Sequence, residues 1–542
     1  MFFLFLSYQK SQLQHHKHHF FPSQHIITMA TVLPPASKRQ KREALSLTQV
    51  QQDVSAILTP EDAGSFKARF VDSDGNQTDS VEIPLADATE KNVSLLYNTL
   101  LGRDRDDFVP YRFRIQTTQS EGIQYPSNLL DYFRTHKISP NETTITLLAE
   151  PQAVFRVQAV SRLAHKVRGH GQPILTSQFS PKSSSRLATG SGDHTARIWD
   201  ADTGTPKFTL KGHTGWVLDV RWSPDGELLA TCSMDKTLRI WDPETGTPVN
   251  RELRGHKDCV LMAAWEPYHL RKDGAQLIVS ASRDGTARVW HVGTGRTEHV
   301  LSGHKGSVCC VKWGAGGENG TGQIYTGSHD KTIRVWNASA GTLVHELTGH
   351  KHWVNHIALS SEFVLRTGFF DHTKDVPSSE EAKRAKAKER FESAGKTERI
   401  ISASDDLTMI LWDPTNSGKK PVARLHGHQK AVNHVGFSPD GALIASTGWD
   451  NHTRIWSARD GSFMHKLLGH VAPVFQCAFS ADSRLLATAS RDTTVKVWNV
   501  RDGKLAKDLP GHEDEVYTVD WAPEGNMVCS GGKDKTVRMW RN

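Results

Sequence analysis

The chain has 542 residues, of which 37% are hydrophobic and 23% are charged, and this balance is typical of a soluble protein with two or three domains. No apolar run approaches the ~18 residues that a membrane-spanning helix needs, so the sequence predicts no transmembrane segment. The net charge of +7 suits an anionic partner such as RNA but does not require one.

The cysteine pattern argues against zinc and against disulfides. None of the six cysteines forms a CxxC pair, so the sequence predicts neither a zinc site nor another cofactor. We expect buried, reduced thiols in an intracellular protein. The cysteines are Cys232, Cys259, Cys309, Cys310, Cys477 and Cys529.

Residues 1–60 are predicted to form a disordered segment. The apolar stretch Phe2–Leu6 lacks a preceding basic region and a following small-residue cleavage site, which is unlike a secretory signal. A histidine-rich stretch comes next and is typical of low complexity, with metal binding as the alternative. Met29 looks like a natural start, so we expect residues 1–28 to be dispensable or not made.

A cluster of basic residues follows Pro34 and Pro35 within this segment. In a flexible chain such a cluster indicates a nuclear import signal or an arm that contacts RNA, and a solvated run of charge is the alternative. The basic residues are Lys38, Arg39, Lys41 and Arg42.

Residues 61–150 have the pattern of a small α+β domain. One segment, Asn92–Leu101, has apolar residues at helical spacing and is followed by Gly102. A short helix is expected at Leu129–Arg134. The order hairpin, helix, strand, short helix, strand is compatible with a ubiquitin-like β-grasp fold. The predicted strands are Ala68–Val71, Ser80–Ile83, Tyr111–Ile115 and Thr144–Leu148.

One carboxylate lies in the loop before the last of these strands. Pro140 and Asn141 favour a turn, which places Glu142 at an exposed tip. A carboxylate in such a loop is usually only solvated, and the residues around it do not decide between that state and a binding role.

A repeat begins near residue 160 and organises the rest of the chain. Each of its eight units opens with Gly-His and closes with Trp, and an Asp lies six residues before every Trp. The histidines of the last three units are 42 residues apart. The histidines are His170, His213, His256, His304, His350, His428, His470 and His512; the aspartates are Asp193, Asp235, Asp284, Asp330, Asp406, Asp450, Asp492 and Asp534; the tryptophans are Trp199, Trp241, Trp290, Trp336, Trp412, Trp456, Trp498 and Trp540.

A period of this length with Gly-His and Trp-Asp marks is the signature of WD40 repeats, in which each unit forms a four-stranded propeller blade. The chain therefore resembles the WD-repeat family, and we expect an all-β, eight-bladed WD40 β-propeller over residues 153–542. Because the last unit ends at Trp540 on its third strand, the missing fourth strand is predicted at 153–160, where it would close the ring.

The fifth unit contains an insertion at about 361–398. From its His to its Trp this unit spans 62 residues, against 28 in the seventh unit. The centre of the insertion is rich in Ala, Lys and Glu, which predicts an exposed helix with a capping box formed by Ser378 and Glu381. The insertion is either a binding element or a tolerated loop.

The repeated polar residues are expected to form a structural network. In each unit the Asp would orient the His, and the His would reach a hydroxyl and then the indole of the Trp, so that every buried polar group is satisfied. The hydroxyl is predicted two residues before the Asp, and the two units with Gly448 and Gly532 at that position are expected to be less rigid. The prediction rests most directly on His213, Asp235, Trp241, His470, Asp492, Trp498, His512, Asp534 and Trp540.

A set of Ser, His and Asp also suggests nucleophilic catalysis. Catalysis needs one asymmetric site, whereas eight copies at one period indicate a scaffold. The sequence contains no P-loop, HExxH, GxSxG or kinase motif either, so no enzyme activity is expected.

The arrangement as a whole resembles the Notchless family of large-subunit ribosome assembly factors. The resemblance covers residues 31–542 and rests on the basic start, a small domain with Val109-Pro-Tyr-Arg-Phe113, eight WD units and the insertion with Phe370-Asp-His-Thr373. It implies a role in maturation of pre-60S particles, with ribosomal proteins and rRNA as partners, in the nucleus and nucleolus.

The resemblance also implies a partner for the small domain. In that family this ubiquitin-like NLE domain engages the metal site of midasin, an AAA ATPase that remodels the particle. The family's glutamate precedes the closing Ile-Thr-Leu-Leu strand and corresponds to Glu142, whose carboxylate would complete the partner's Mg²⁺ shell. We expect a monomer with no metal of its own and no membrane contact. The alternatives are a scaffold in Notch-type receptor signalling and a ubiquitin-ligase adaptor.

Overall fold

The computed structural model describes residues 65–72, 77–84, 88–102, 111–115, 123–124, 144–151, 156–272, 275–317, 320–371, 375–394, 397–414 and 420–542. These residues belong to two compact units, one within 16–155 and one that runs from Arg156 to Asn542. The predictions for residues 1–60, for the helix at Leu129–Arg134 and for the Glu142 loop lie outside the described residues. None of the described helices is long and apolar enough to cross a membrane.

The smaller unit contains one mixed sheet and one helix, α1 (Glu90–Leu100), among its described residues. The sheet has the strand order β2-β1-β5-β3-β4, in which β1 and β5 are parallel and the other neighbours are antiparallel. The helix and four of these strands lie where the sequence predicted them. The strands are β1 (Ser65–Asp72), β2 (Val81–Pro84), β3 (Tyr111–Ile115), β4 (Ile123–Gln124) and β5 (Thr144–Pro151).

The helix packs on this sheet through an aromatic core. Phe70, Tyr97 and Phe113 are almost completely buried, and the rings of Phe70 and Tyr97 are 4.8 Å apart. The side chain of Thr89 caps α1 by accepting a hydrogen bond from Asn92 N at 3.4 Å. Apolar burial and the cap together explain why this short segment is helical.

The larger unit begins with β6 (Arg162–Arg168) and continues as a series of antiparallel sheets formed by consecutive strands. The first sheet contains β7 (Ile174–Phe179), β8 (Arg186–Ser191), β9 (Ala196–Asp200) and β10 (Thr205–Leu210). The second contains β11 (Val217–Trp222), β12 (Leu229–Ser233) and β13 (Leu238–Trp241). The third contains β14 (Val260–Trp265), β15 (Leu277–Ser282), β16 (Ala287–His291) and β17 (Thr297–Leu301). The fourth contains β18 (Val308–Gly314), β19 (Gln323–Ser328), β20 (Thr332–Asn337) and β21 (Leu343–Thr348).

The remaining four sheets follow the same pattern. The fifth contains β22 (Val354–Leu359), β23 (Ile400–Ser404), β24 (Thr408–Trp412) and β25 (Pro421–His426). The sixth contains β26 (Val432–Phe437), β27 (Leu443–Gly448), β28 (Thr453–Ser457) and β29 (Phe463–Leu467). The seventh contains β30 (Val474–Phe479), β31 (Leu485–Ser490), β32 (Val495–Asn499) and β33 (Leu505–Leu509). The eighth contains β34 (Val516–Trp521), β35 (Met527–Gly532) and β36 (Thr536–Arg541), with β6 as its fourth strand.

The sheets are arranged in a closed order, which makes this unit a β-propeller. The first strand of each sheet contacts the first strand of the next, and β34 of the eighth sheet contacts β7 of the first. Between neighbouring sheets lie clusters of buried apolar side chains, for example those around Trp241, Trp336 and Trp498. The large apolar area that these tryptophans bury holds adjacent sheets together.

The strand that closes the ring differs from the prediction. The sequence suggested residues 153–160, whereas β6, at 162–168, pairs antiparallel with β36. Residues 156–161 approach it without regular structure, but Val160 is completely buried and Val157 N donates to Asp482 Oδ2 at 2.8 Å. In the described part of that predicted segment, residues 156–160, the apolar Val157 and Val160 are buried without strand pairing.

The insertion in the fifth sheet folds into two helices, α2 (Glu362–Thr367) and α3 (Glu380–Ser393). The cap of α3 is Ser379, which accepts a hydrogen bond from Ala382 N at 3.2 Å, so the predicted cap at Ser378 was wrong by one residue. The helix is also not exposed on all sides. Ala387 is buried beside Tyr268 and Phe369, because this face packs against the loop that follows β14.

Candidate functional site

The polar residues of each repeat form a hydrogen-bonded chain, and the seventh sheet shows its geometry. Trp498 Nε1 donates to Thr488 Oγ1 at 2.8 Å, and this hydroxyl is 2.8 Å from His470 Nε2. His470 Nδ1 is 2.7 Å from Asp492 Oδ2. With a neutral His that carries its proton on Nδ1, the hydroxyl donates to Nε2 and accepts from the indole, so every group is satisfied.

The same chain is present in all eight sheets. The His Nδ1 to Asp distances lie between 2.7 and 3.0 Å, and the His Nε2 to hydroxyl distances lie between 2.7 and 2.9 Å. The hydroxyls are those of Thr189, Thr231, Ser280, Thr326, Ser402, Ser446, Thr488 and Ser530.

The hydroxyl does not come from the residue two positions before the Asp, so that prediction was wrong. The hydroxyl that contacts the His lies four residues before the Asp. The serine two residues before the Asp makes different hydrogen bonds. Ser490 Oγ donates to Ala472 O at 3.1 Å and accepts from Asp492 N at 3.1 Å, which ties the turn to the neighbouring loop. The network is therefore complete in the sheets with Gly448 and Gly532, where Ser446 and Ser530 supply the hydroxyl.

Close packing explains the glycine of the Gly-His pair. A Cβ atom on Gly469 would lie 2.9 Å from Trp498 Cη2, which is closer than real Cβ contacts. The glycine thus lets the loop approach the indole closely enough for His470 to reach Thr488.

The pKa shifts favour an ionised Asp in the seventh sheet and a neutral His in the first, sixth and eighth sheets. Burial would raise the pKa of Asp492, but hydrogen bonds from His470 and Thr494 outweigh it and hold this pKa below its usual value. Burial lowers the pKa of His170, His428 and His512 despite their aspartates. These histidines are hydrogen-bond links rather than general bases, because each of them is already engaged on both nitrogens.

The network lies at one end of the ring, which we call the network end. It contains the Gly-His loops and the turns between the second and third strands of each sheet. The residue after each His donates its backbone N–H to the network Asp, as Lys305 N does to Asp330 Oδ2 at 3.0 Å. The network therefore fixes the backbone of the residue that follows each His.

Aromatic side chains of the fourth to eighth sheets contact one another at the network end. The imidazole of His329 is stacked on Trp353 with ring centroids 4.5 Å apart. Phe475 contacts Trp449 at 5.9 Å and Tyr517 at 5.6 Å. His329, Trp353 and Trp449 are half-buried, so their rings form part of the surface.

The insertion covers the opposite end, which we call the insertion end. Its helix α2 is held across the centre by ion pairs to two different sheets. Glu362 pairs with Lys312 of β18, and Arg366 donates to both oxygens of Asp520 of β34, at 2.9 and 2.7 Å. The fifth sheet is thereby connected to the fourth and the eighth.

A buried carboxyl group fixes the base of the insertion. Glu398 accepts hydrogen bonds from Ser361, at the start of the insertion, and from Tyr325 OH at 3.0 Å. Burial raises the pKa of Glu398 against the effect of these hydrogen bonds. In the part of the chain that the structure describes, no group of three or more His, Cys, Asp or Glu side chains is arranged to hold a metal ion.

The structure therefore places the predicted site residues in two categories. His213, Asp235, Trp241 and the corresponding residues of the seventh and eighth sheets lie in the network. Glu142 and the basic residues Lys38, Arg39, Lys41 and Arg42 lie outside the described residues. Sequence reasoning did not single out Lys257, Lys305 and Lys351, which follow the His at the network end, although the Gly-His-Lys triplet occurs three times. Nothing in the sequence pointed to the pair of Arg366 and Asp520.

The chain matches the sequence profile of the family described as WD domain, G-beta repeat. Seven segments match, and together they cover more than half of the chain. No repeat is matched between 337 and 419, where the fifth sheet carries the insertion. The segments are 161–200, 204–242, 247–291, 295–337, 419–457, 461–499 and 503–541.

Two curated relatives extend the similarity beyond single repeats. The chain is 68% identical to "Ribosome assembly protein 4" of Chaetomium thermophilum over 80% of this chain and 85% of that protein. It is 40% identical to "Protein Notchless" of Drosophila melanogaster over 74% of this chain and 78% of that protein. Among solved structures, the computationally designed Ika8 protein matches 70% of this chain and all of its own, with a TM-score of 0.54 and 24% identity, which concerns the fold alone.

Proposed function

The chain belongs to the family of WD-repeat proteins that contains ribosome assembly protein 4 and Notchless, and from this membership we propose that it is a non-enzymatic assembly factor of the large ribosomal subunit. The observation that carries the proposal is the 68% identity to "Ribosome assembly protein 4" over 80% of the chain. A propeller whose repeated polar residues are fully occupied in holding its sheets supports a scaffold role.

We also propose that the chain consists of a ubiquitin-like domain followed by an eight-bladed propeller. The closed order of the described sheets supports an eight-bladed propeller that starts at Arg156. The strand order β2-β1-β5-β3-β4, with a parallel pair in the middle and one helix packed on the sheet, supports a ubiquitin-like domain at 61–150.

In the proposed mechanism the two domains bind different partners. The propeller binds the pre-60S particle, and the small domain presents Glu142 to the metal site of a midasin-type ATPase, which then pulls on it. Residues 156–161 are fixed to the propeller through Val157 and Val160, which supports transmission of a pull on this segment to the propeller. A carboxylate is a suitable ligand because Mg²⁺ prefers hard oxygen atoms.

A pull-down tests the role of Glu142. Glu142→Ala and Glu142→Asp should abolish Mg²⁺-dependent capture of the midasin metal-site domain, because the first removes the ligand and the second shortens it. Glu121→Ala, at a second acidic residue of the same domain, is the matched control and should bind normally. Undiminished capture by both Glu142 variants would exclude this mechanism.

We propose that the basic cluster near the start of the chain determines its localisation. Lys38, Arg39, Lys41 and Arg42 would direct the chain to the nucleus and nucleolus, so a variant with four alanines there should accumulate outside the nucleus when imaged as a fluorescent fusion.

Sedimentation in a sucrose gradient tests the function itself. The chain should co-sediment with pre-60S particles, and its depletion should lower the yield of mature large subunits. The name of the Drosophila relative favours a second candidate, a scaffold in Notch-type signalling. That candidate predicts a cytoplasmic pool and no co-sedimentation with pre-60S particles.

A further inference from the structure

The network end of the propeller carries its charge unevenly. Six lysines extend from the loops and turns of the second to fifth sheets, and all six are exposed. Among the described residues, none of their ammonium groups has an ion-pair or hydrogen-bond partner. These residues, which we call the basic arc, are Lys211, Lys236, Lys257, Lys305, Lys331 and Lys351.

Three lysines of the arc occupy one structural position in three consecutive sheets. The backbone N–H of Lys257 donates to Asp284 at 2.8 Å, and that of Lys351 donates to Asp406 at 2.8 Å. Lys305 is held in the same way by its own network Asp. Because the network fixes the backbone at each position, the arc presents a row of cations at the regular spacing of the sheets.

The other side of the same end lacks this excess of charge. In the seventh and eighth sheets, Arg491 pairs with Glu515 at 3.0 Å, and Lys533 pairs with Asp514 at 3.3 Å. Glu513, in the position of the arc lysines, pairs with Lys166 at 2.7 Å. Basic and acidic groups neutralise one another in these pairs, and among the described lysines of the sixth to eighth sheets at this end only Lys430 and Lys535 are exposed without such a partner. Unpaired cations are therefore concentrated in the arc, which has six of them.

We infer that the basic arc binds the phosphate backbone of RNA. The inference rests on the proposed function and names the macromolecule that this end of the propeller contacts. A row of point charges on fixed backbone positions complements a regular row of phosphates, and lysine contacts phosphate through charge without reading the base. The half-buried Trp353, stacked on His329 directly beside the arc, offers a ring on which an unpaired base can stack.

Charge reversal with a matched control tests the inference. The arc variant carries Lys257→Glu, Lys305→Glu and Lys351→Glu in the full chain. The control carries Lys182→Glu, Lys420→Glu and Lys504→Glu, which are exposed and lie in loops of the insertion end. Both variants change the net charge equally. A difference between their RNA affinities therefore depends on where the charges lie and not on how many there are. Circular dichroism and melting curves establish that both are folded.

The probes are a fluorescein-labelled 20-nucleotide oligouridine, an RNA hairpin and a labelled polyglutamate peptide, titrated by fluorescence anisotropy. The arc variant should lose affinity for one or both RNA probes by roughly tenfold or more, and the dependence of log K on log salt should become shallower by about 2. The control should retain most of the affinity. Equal losses in both variants, or no loss in the arc variant, would overturn the inference.

The polyglutamate probe separates RNA from an acidic protein partner. If the arc variant loses only polyglutamate binding, the arc is a surface for acidic protein and the inference is wrong. Sedimentation with pre-60S particles is measured for the wild-type chain in parallel. Wild-type co-sedimentation combined with unchanged RNA binding by the arc variant would reject the arc and leave the proposed function intact.

Discussion

At the scale of single residues, one hydroxyl per repeat has the central position in the network. Thr488 connects the indole of Trp498 and the imidazole of His470, and all three side chains are buried. Its neighbour Thr494 donates only to Asp492 Oδ1, at 2.7 Å, and is half-buried. The two threonines lie in the same sheet, so they allow one substitution to be compared at two positions.

Thr488→Val should therefore destabilise the propeller more than Thr494→Val. The first change leaves the indole N–H and the imidazole Nε2 buried without a partner, which costs about 2 to 4 kcal/mol. The second removes one hydrogen bond near solvent and costs about 1 kcal/mol. Urea denaturation measures the difference, and hydrogen exchange of the Trp498 indole should accelerate only in Thr488→Val. Equal losses of stability would contradict the assigned chain of hydrogen bonds.

At the scale of elements, the insertion is not a loose loop, because both of its helices pack on the propeller. The helix α2 reaches two other sheets through Lys312 and Asp520, while α3 packs its Ala387 face on the loop after β14. Asp520 Oδ2 also accepts a hydrogen bond from Phe179 N at 2.8 Å. This bond orients the carboxylate independently of Arg366. The pair is thus positioned to hold α2 in place.

Arg366→Ala should release α2 without unfolding the ring. We expect a loss of about 2 kcal/mol, because the substitution leaves the buried Asp520 with its backbone partner alone. A double-mutant cycle with Asp520→Asn measures the coupling, and hydrogen exchange should increase across 362–367. Lys388→Ala is the control, since its side chain is 66% exposed and its pair with Glu392 spans 3.9 Å. Similar exchange in Arg366→Ala and Lys388→Ala would show that the ion pair does not hold the helix.

The elements also show what the sequence was able to predict. The period of the repeats located the strands, because every sheet repeats the same apolar runs and the same Asp and Trp. The hydroxyl was misplaced because a Ser or Thr occurs at both candidate positions in most units, as with Thr488 and Ser490, and only geometry separates their roles. The contacts of α2 were not predictable, since Arg366 and Asp520 are 154 residues apart and neither belongs to a repeated pattern.

At the scale of the whole molecule, the propeller depends on a strand from the beginning of its own sequence. The first strand of the unit, β6, completes the last sheet, and the register runs from Thr536 paired with Arg168 to Arg541 paired with Arg162. Without β6, the edge of β36 would expose a row of unpaired backbone groups. Such an edge is a template for association with other chains.

A chain that begins at Gly169 should consequently fail to form a stable monomer, whereas one that begins at Arg156 should succeed. The shorter chain loses the pairing of β36 and the packing of Val167 and Val160, both of which are buried. Light scattering after size-exclusion chromatography should show association of the shorter chain, and its melting temperature should fall. A synthetic peptide of residues 156–168 should restore a monomer by supplying the strand. A peptide with Leu163→Pro and Val167→Pro should not, because proline removes backbone donors from the ladder. If the chain from Gly169 remained monomeric with an unchanged melting temperature, ring closure by β6 would contribute little to stability, and the other sheets would hold the ring by themselves.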